Sequence, residues 1–502
     1  MLIKFLNQKK IYILCVFLVI LAGLSIRFFD LTNPPLDFNP VRQIHSAIIA
    51  RGFYVFLPNS SLTGFERDKA WSFSSELWIE PPILEYITAW SYAAAGDAYL
   101  WIARIYSILF WTLGGVALFF LMKSLSGKAG ALAGLIFYLF LPFGIFASRA
   151  FQPDPLMVAS LCFAYWMLER WSKNPSWKNA VLSGVFCGFA ILVKQVAVFF
   201  VAGPLVVVLL QVPGFKKGLR SLKVWAIGLI TILPTLIYNI YGVFIDGFLK
   251  MQYSLRFFPE LFSDPLFYYR WASKINQTVG WVPLMIALAG IVFLVDRHRR
   301  WWFASLFIGY FAYGLVFAYH ISTHDYYQEP LIPLVAIGIG LIVEAVYQQT
   351  GSLKNLFSLA AIGVLTTAGC LYTLWSVRND LNRSDYRDQP ALWRRLGREM
   401  HYGEPAVAGL FDDYGVRLMY WGYTMPMVWE SAGDIKMREL SGRQQVMDDI
   451  QTKLEGKRFF IVTDFNELQN QSELEEVLNR YHIYEQGSGY KIYDLSWPLD
   501  NP

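Results

Sequence analysis

Long apolar runs divide this sequence from end to end, and they constrain its fold more than any other feature. Stretches of roughly 17 to 25 residues, enough for a helix to cross about 30 Å of hydrocarbon, recur about eleven times. They lie near 11–29, 99–122, 129–148, 155–171, 179–193, 196–211, 224–244, 279–295, 301–319, 330–348 and 355–377. Because 55% of the residues are hydrophobic and only 16% are charged, the chain is predicted to be a polytopic α-helical membrane protein.

Cysteine usage and the N-terminus exclude two other classes of protein. All four cysteines lie inside apolar runs, where neither a disulfide framework nor a CxxC metal site is expected. The first apolar run follows a basic N-terminus, as in a signal peptide, but it is too long and no small-residue cleavage site follows it. We therefore interpret this run as a retained first span.

Lysine and arginine residues predict the orientation, because cytoplasmic loops are enriched in them. If the short apolar run 83–96 lies along the membrane surface, basic residues such as Lys9, Lys123, Lys173 and Arg299 all fall on one side. That side is predicted to be cytoplasmic and to hold the N-terminus. The first outer loop, 30–98, and everything after about 378 then face the periplasm. The expected location is the inner (cytoplasmic) membrane.

Two domains are predicted on this basis. Residues 1–377 form a transmembrane domain of about eleven helices, whose first outer loop contains two interfacial helices, 40–55 and 83–96. Residues 378–502 alternate between strand-like and helix-like segments, which predicts a small soluble extracytoplasmic α/β domain. The sequence contains no repeats and no Gly-rich phosphate loop.

Four outer segments place ionisable residues at the ends of apolar runs, where burial is costly and a functional role is the default hypothesis. The first is LDFNPVRQIH, although a helix cap at Asp37 or Asn39 would explain part of it equally well. Turn chemistry, helix dipoles and snorkelling are equally ordinary explanations for the other segments. The candidate residues in the four segments are Asp37, Arg42, Gln43, His45, Glu80, Arg149, Asp154, Lys194, His324, Asp325, Tyr326 and Tyr327.

The predicted topology puts all four segments on the same outer face, although it was derived from basic residues at the cytoplasmic ends. Carboxylates, cations, tyrosines and histidines at one bilayer surface suit a reaction whose donor is a lipid phosphate. Cations would hold the phosphate. A carboxylate would take a proton from an acceptor hydroxyl.

These motifs resemble those of the GT-C membrane glycosyltransferases. The resemblance rests on an acidic residue soon after the first span, a PPxL surface helix, an SRxxQPDP junction, a Lys in an apolar turn and an HDYY loop. Within that superfamily the chain resembles glycosyltransferase family 39, which includes protein O-mannosyltransferases and lipid A aminoarabinose transferases. The likeness covers roughly residues 10 to 350.

The resemblance implies an inverting sugar transfer from a polyprenyl-phosphate donor outside the cytoplasm. The acceptor would be a glycolipid, a polysaccharide or a protein, and no nucleic acid is involved. Asp37 would be the general base and Asp154 a second catalytic carboxylate, with Glu80 a weaker third candidate. Lys194 and Arg42 would bind the donor phosphate. The donor cavity would be lined by His324, Asp325, Tyr326 and Tyr327.

The sequence also departs from the family. Phe38 follows Asp37 where mannosyltransferases often have an Asp-Glu pair, and Pro81 follows Glu80 where aminoarabinose transferases have a Lys. No cofactor is certain. If a metal is present, Asp37 and Asp154 are its expected ligands, and oxygen ligands favour Mg²⁺ over Zn²⁺.

Two other functions compete with the transferase. A transporter or a lipid-linked-sugar flippase would also have many spans and buried charges, but transporters favour midplane charges and paired repeats. A non-catalytic scaffold could bind a partner through its soluble tail, where Asp412, Asp413 and Arg417 form a charged group. An ordinary turn would explain that charged group as well.

Overall fold

The computed structural model describes residues 9–75, 78–211, 215–218, 220–250, 257–294, 296–349, 356–404, 406–440 and 450–499. The chain divides into two compact units. The first unit consists of Met1–Thr32, Ile79–Leu84 and Ala103–Ser384. The second consists of Asn33–Trp78, Glu85–Ile102 and Asp385–Pro502. The predicted division into a transmembrane domain, 1–377, and a soluble domain, 378–502, stays a prediction.

Helices make up the described part of the first unit, and every apolar run predicted as a span is helical in whole or in part. In chain order the helices up to residue 240 are α1 (Lys9–Arg27), α5 (Leu100–Leu125), α6 (Lys128–Phe140), α7 (Pro142–Ala147), α8 (Asp154–Lys173), α9 (Trp177–Val193), α10 (Val198–Gln211), α11 (Phe215–Gly218) and α12 (Leu222–Ile240). The later ones are α13 (Pro265–Thr278), α14 (Trp281–Phe293), α15 (Arg297–Val316), α16 (Ala318–Thr323), α17 (Leu331–Gln349) and α18 (Leu356–Arg383).

Length and composition identify the strongest candidates for membrane spans among the described residues. Four helical segments are long and apolar enough to cross a bilayer: Lys9–Arg27, Leu100–Leu125, Leu222–Ile245 and Asp325–Gln349. A fifth is possible if Pro265–Thr278 and Trp281–Val292, which meet at 92°, are one broken span. Several other apolar helices are shorter, so the number of about eleven spans stays a prediction.

Close contacts between backbones hold the helices of the first unit together. The clearest case is Gly309 in α15, where a Cβ atom would lie 2.0 Å from the carbonyl oxygen of Phe199 in α10. Gly338 in α17 meets Ala287 in α14 in the same way, with its Cβ position 2.4 Å from the Ala287 Cα atom. Small residues at such crossings are typical of helix packing in membranes, where dispersion forces replace the hydrophobic effect.

The second unit contains the helices of the first outer loop and the C-terminal α/β fold. The loop helices are α2 (Pro40–Tyr54), α3 (Gly64–Ser75) and α4 (Ile83–Ala95, whose first two residues belong to the first unit). Helices α2 and α4 occupy the predicted segments 40–55 and 83–96, whereas the sequence analysis did not predict α3. The C-terminal helices are α19 (Gln389–Glu399), α20 (Val416–Gly422), α21 (Ala432–Leu440), α22 (Ile450–Leu454), α23 (Phe465–Asn470) and α24 (Ser472–Leu478).

A five-stranded sheet organises the C-terminal part of this unit. Its strands are β1 (Val407–Leu410), β2 (Met427–Val428), β3 (Phe459–Val462), β4 (Tyr481–Gly487) and β5 (Tyr490–Pro498), in the order β2-β1-β3-β5-β4. β1 pairs in parallel with β2 and β3, whereas β5 is antiparallel to β3 and β4. Apolar residues of β1 and β3 pack with Leu474 and Leu478 of α24 to form a core.

Arg51 explains why the first outer loop groups with the C-terminal residues. This buried side chain lies in α2, and its guanidinium donates hydrogen bonds to the carbonyl oxygens of Tyr420 and Met419. It also lies over the rings of Tyr420 and Tyr423, with centroids at 4.1 and 4.7 Å. Two cation–π contacts and two charged hydrogen bonds thus join segments far apart in sequence.

Replacing Arg51 by Ala is therefore expected to destabilise the second unit. Loss of the charged hydrogen bonds and ring contacts predicts a fall of about 3 kcal/mol in the free energy of unfolding. Thermal and denaturant unfolding of the purified full chain would measure it. The matched control is Arg398→Ala, because Arg398 is an exposed arginine of the same unit. Equal stability of the two variants would contradict the prediction.

Candidate functional site

The stretch LDFNPVRQIH forms a strained turn followed by a helix. Asn39 has a left-handed backbone, with φ 45°, and helix α2 begins at Pro40 without a side-chain cap from Asn39. The buried Gln43 side chain donates through Nε2 to the carbonyl oxygen of Phe38 at 2.5 Å. A left-handed non-glycine residue costs free energy and persists where its surroundings hold it. Gln43 therefore has a structural part in fixing the turn that carries the half-buried Asp37.

The predicted site residues are divided between the two units. Asp37, Arg42, Gln43 and His45 belong to the second unit. Arg42 and His45 are half-buried side chains of α2. The remaining predicted residues all belong to the first unit: Glu80, Arg149, Asp154, Lys194, His324, Asp325, Tyr326 and Tyr327.

The first unit brings Asp154 and Lys194 together as a buried ion pair. Lys194 Nζ lies 2.6 Å from Asp154 Oδ1, and the side chains are only 7% and 1% exposed. Asp154 occupies the first turn of α8, where the helix dipole stabilises a carboxylate. Lys194 interrupts two apolar helices in an extended conformation, between α9 and the 3₁₀ turn Gln195–Ala197. The local sequences around Asp154 and Lys194 thus each place a charged side chain at a helix end.

Tyrosine rings surround the Lys194 ammonium group. Its Nζ atom lies 5.1 Å from the ring centroid of Tyr326 and 5.3 Å from that of Tyr327. Both tyrosines belong to the 3₁₀ helix Asp325–Gln328. Tyr313 of α15 stacks on Tyr327, with the two ring planes 4° apart. The ammonium group is therefore positioned by a carboxylate and by aromatic rings at once.

Histidines extend this aromatic group. His320 stacks on Tyr327 with ring centroids 5.4 Å apart, and His324 contacts Tyr326 at 5.5 Å. The half-buried His324 also shares a hydrogen bond of 2.8 Å between its Nδ1 atom and the Thr323 hydroxyl. His324, Tyr326 and Tyr327 thus lie together in one aromatic group, and their role at the donor cavity stays a prediction. His320 was not predicted.

For the other predicted residues of the first unit, the structure shows contacts and positions that support the fold. The buried Arg149 donates through its guanidinium to the carbonyl oxygen of Asp30 at 3.3 Å. Glu80 is half-buried just before α4, and its neighbour Ile79 accepts a hydrogen bond from the Tyr238 hydroxyl at 3.3 Å. Asp325 is half-buried at the start of the 3₁₀ helix.

Sequence reasoning missed a buried pair beside this site, Gln152 and Glu329. Neither side chain is exposed at all, and Gln152 Nε2 donates to Glu329 Oε1 at 2.8 Å. Gln152 precedes Asp154 by two residues, and Asp154 acts electrostatically on Glu329. One acceptor atom of each of these three residues has no hydrogen-bond partner within the described ranges. The sequence did contain a signal for Glu329, because this acidic residue lies at the start of an apolar run.

The Gln152–Glu329 bond predicts a difference between two substitutions. Glu329→Ala would leave the buried Gln152 amide without its acceptor and lower the free energy of unfolding by about 2 kcal/mol. Glu329→Gln keeps an acceptor oxygen and is expected to be close to wild type in stability. Thermal unfolding of both variants in detergent tests this difference. If the two variants unfolded at the same temperature, the Gln152–Glu329 hydrogen bond would not contribute to stability.

A metal site requires several ligand side chains close together. No group of three or more His, Cys, Asp or Glu side chains within them could hold a metal ion. Asp154 already pairs through Oδ1 with an ammonium group, which would repel a second cation close by. The described residues thus give no support for a metal at Asp154, and the expectation of a Mg²⁺ ion held by Asp37 and Asp154 stays a prediction.

The charged group of the soluble tail has a structural explanation. Arg417 forms ion pairs with both Asp412 and Asp413. The Asp413 carboxylate also accepts a hydrogen bond from the backbone of Gly415 at 2.9 Å. Burial raises the pKa of Asp413, and the Arg417 charge opposes this rise. These contacts hold the turn before α20 in place. They therefore favour an ordinary turn over an acceptor-binding surface as the explanation of the charged group.

Comparison with known proteins relates this arrangement to a family and a fold. Residues 79–238 match a family model described as dolichyl-phosphate-mannose-protein mannosyltransferase. No curated protein sequence matches the chain significantly. The chain is similar in structure to ArnT from Cupriavidus metallidurans in the apo state, with a TM-score of 0.60, 15% identity and coverage of 95% of this chain and 97% of ArnT.

Two further solved structures have the same fold. ArnT from Cupriavidus metallidurans bound to undecaprenyl phosphate matches with a TM-score of 0.56, 16% identity and coverage of 97% and 98%. The archaeal oligosaccharyltransferase AglB from Archaeoglobus fulgidus, in complex with an inhibitory peptide and a dolichol-phosphate, matches with a TM-score of 0.55 and 11% identity. That alignment covers 99% of this chain and 75% of AglB. The predicted resemblance is thus confirmed: the chain has the fold of the GT-C membrane glycosyltransferases and matches a mannosyltransferase family model over residues 79–238.

Proposed function

We propose that this chain is an integral-membrane glycosyltransferase that moves a sugar from a polyprenyl-phosphate donor to an acceptor hydroxyl. The observation that carries the proposal is the buried Asp154–Lys194 pair and its tyrosines. It lies in a fold shared with a protein that binds undecaprenyl phosphate. Charges are expensive in a membrane-embedded site, so a buried pair there points to a function.

The reaction requires one displacement at the anomeric carbon. The acceptor oxygen forms a bond to that carbon while the bond to the donor phosphate oxygen breaks, which inverts the configuration. A carboxylate accepts the hydroxyl proton, and we assign this task to Asp37. The leaving polyprenyl phosphate gains negative charge on its bridging oxygen, which a nearby cation stabilises.

Lys194 is suited to stabilise the negative charge on the leaving phosphate. It is held on one side by Asp154 and faces two tyrosine rings, so its ammonium group is ordered before a ligand arrives. A fixed ammonium in a low-dielectric site interacts more strongly with a phosphate than one in water. Asp154 then acts by orienting Lys194 and supporting the acceptor side. Arg42 is assigned to the donor phosphate, and His324, Tyr326 and Tyr327 to the donor cavity.

The proposed location follows from the positive residues. The N-terminus lies in the cytoplasm, the C-terminal domain lies in the periplasm, and transfer takes place on the outer face of the inner membrane. The acceptor is a glycolipid, a polysaccharide or a protein that reaches this face.

A reconstituted assay tests the function against the transporter alternative. The purified chain is placed in vesicles with a set of polyprenyl-phosphate sugars carrying a labelled sugar, together with an envelope extract as acceptor. We expect labelled sugar to leave the lipid and to become bound to an acceptor. Movement of intact labelled lipid between leaflets, without any cleavage, would instead identify a flippase. Glycolipid mass spectrometry of a deletion strain then identifies the acceptor.

A further inference from the structure

A cavity lies in the first unit, at the opposite end of α8 from Asp154. Its volume is about 310 Å³, within the range of small-ligand sites. The α8 residues that line it are about 22 to 28 Å from Asp154 along the helix axis. The cavity is lined by the ends of α5, α8 and α10 and by the start of α15: Leu125, Glu169, Ser172, Lys173, Val208, Asp296, His298, Arg299 and Trp302.

Two cations in this cavity share one buried carboxylate. Lys173 Nζ lies 3.1 Å and an Arg299 guanidinium nitrogen 3.6 Å from Glu169 Oε1. Lys173 also donates to the Ser124 hydroxyl at 2.5 Å, and Arg299 donates to the Leu125 carbonyl at 3.3 Å. The Lys173 and Arg299 side chains are 47% and 33% exposed. One carboxylate cannot neutralise two cations, and the other acidic residue of the lining is Asp296.

Asp296 brings the formal charge of the lining side chains to zero, and it also has a structural task. It caps α15 by accepting hydrogen bonds from the backbone of His298 at 2.8 Å and Arg299 at 3.1 Å. Both backbone hydrogen bonds lower the pKa of Asp296, and the bond from Arg299 has the larger effect. The cap is followed by Arg297, which is exposed. The exposed Arg297 and the positive end of a long helix therefore supply the excess positive charge at the mouth of the cavity.

Apolar residues complete the cavity and its surroundings. Trp302 is buried in the wall, and its indole nitrogen has no hydrogen-bond partner within the described part of the chain. Val208 lies on the apolar side of the cavity. Leu210 and Trp301, close to them in sequence, are exposed large hydrophobic residues on α10 and α15. A ligand that presents phosphate to the cations and hydrocarbon to these residues would satisfy both surfaces.

We propose that this cavity binds the headgroup of an anionic phospholipid such as phosphatidylglycerol. The phosphate lies against Lys173 and Arg299, the glycerol enters the cavity, and the acyl chains follow the exposed apolar residues of α10 and α15. Basic pockets between the ends of membrane helices bind anionic lipid headgroups for this reason. Lipid binding here is independent of the sugar transfer proposed above.

The test compares the thermal stability of the purified full chain in two kinds of nanodisc. One contains only phosphatidylcholine, and the other is an equal mixture with phosphatidylglycerol. We expect phosphatidylglycerol to raise the unfolding temperature of the wild type. Native mass spectrometry measures how much of this lipid stays bound. Arg299→Gln should weaken retention about fivefold, the contribution of one basic residue near a membrane.

A second variant and a matched control separate the cavity from general surface charge. Val208→Phe fills the cavity without changing any charge, and it should also reduce the retention of phosphatidylglycerol. Lys178→Gln removes an exposed cation on the same predicted face, outside the cavity, and should retain the lipid. Equal loss in this control would overturn the proposal, because bulk surface charge would then explain the binding.

Two further arms test the identity of the ligand. Inorganic phosphate added to phosphatidylcholine nanodiscs should not reproduce the stabilisation, and an equal effect would overturn the assignment to a lipid. Phosphatidylethanolamine should also stabilise less than phosphatidylglycerol. An equal effect of this zwitterionic lipid would overturn the requirement for net negative charge.

Discussion

Replacing Asp37 by Asn is expected to reduce sugar transfer by about 100-fold to 10,000-fold, the contribution of a general base. Asn has nearly the same shape as Asp but cannot accept a proton from the acceptor hydroxyl. The turn that carries Asp37 is fixed by the bond between Gln43 and the Phe38 carbonyl oxygen, and the substitution leaves this bond in place. The fold should therefore survive. Initial rates with a labelled polyprenyl-phosphate sugar measure the effect.

Two controls make this prediction specific to Asp37. Asp68→Asn removes an exposed carboxylate from α3 of the same unit and should leave the rate unchanged. Retention of undecaprenyl phosphate by the Asp37→Asn variant should be close to wild type, because the base does not hold the phosphate. Full activity of Asp37→Asn would falsify the assignment of the base, whereas loss of lipid retention would place Asp37 in donor binding.

Replacing Lys194 by Met is expected to have the second large effect. The variant leaves Asp154 buried without its cation, and breaking a buried pair in this way costs about 3–5 kcal/mol of stability. Transfer should also fall by about 100-fold or more, because the leaving phosphate loses a positioned cation. Unfolding temperature and transfer rate are measured on the same preparation.

A double variant separates the structural part of this effect from the catalytic part. Asp154→Asn combined with Lys194→Met removes both charges and should recover most of the lost stability, because no unpaired charge stays buried. It should not recover transfer, since the cation is still absent. Recovery of both would mean that the pair only supports the fold. Lys178→Met, at an exposed lysine, serves as the comparison for loss of one positive charge.

The candidate site was only partly predictable, and Lys194 and Glu329 show why. Lys194 was conspicuous because it interrupts a long apolar stretch. Glu329 also borders an apolar run, but it follows a run of polar residues in HDYYQEP, so its charge did not mark an interruption. Its partner Gln152 is 177 positions away. Neither residue carries a local pattern that identifies the other.

The second unit illustrates the same limit on domain prediction. Composition placed a boundary near residue 378, close to the observed division at Asp385. It could not place α2 with the C-terminal residues, because that grouping comes from long-range contacts such as that between Arg51 and Tyr420, which are 369 positions apart. A basic residue on an interfacial helix is ordinarily explained by lipid headgroups. Here it donates to backbone carbonyls.

The sequence by itself determined the membrane class, the helical segments and the helix ends that carry charge, because hydrocarbon length and the cost of burying charge are written in local composition. Only the tertiary structure decided which charges meet: Asp154 with Lys194, Gln152 with Glu329, and Lys173 and Arg299 with Glu169. A helix that is apolar all round has no marked face. The choice of neighbours therefore depends on close contacts such as that of Gly309 with Phe199, which form only when the helices pack.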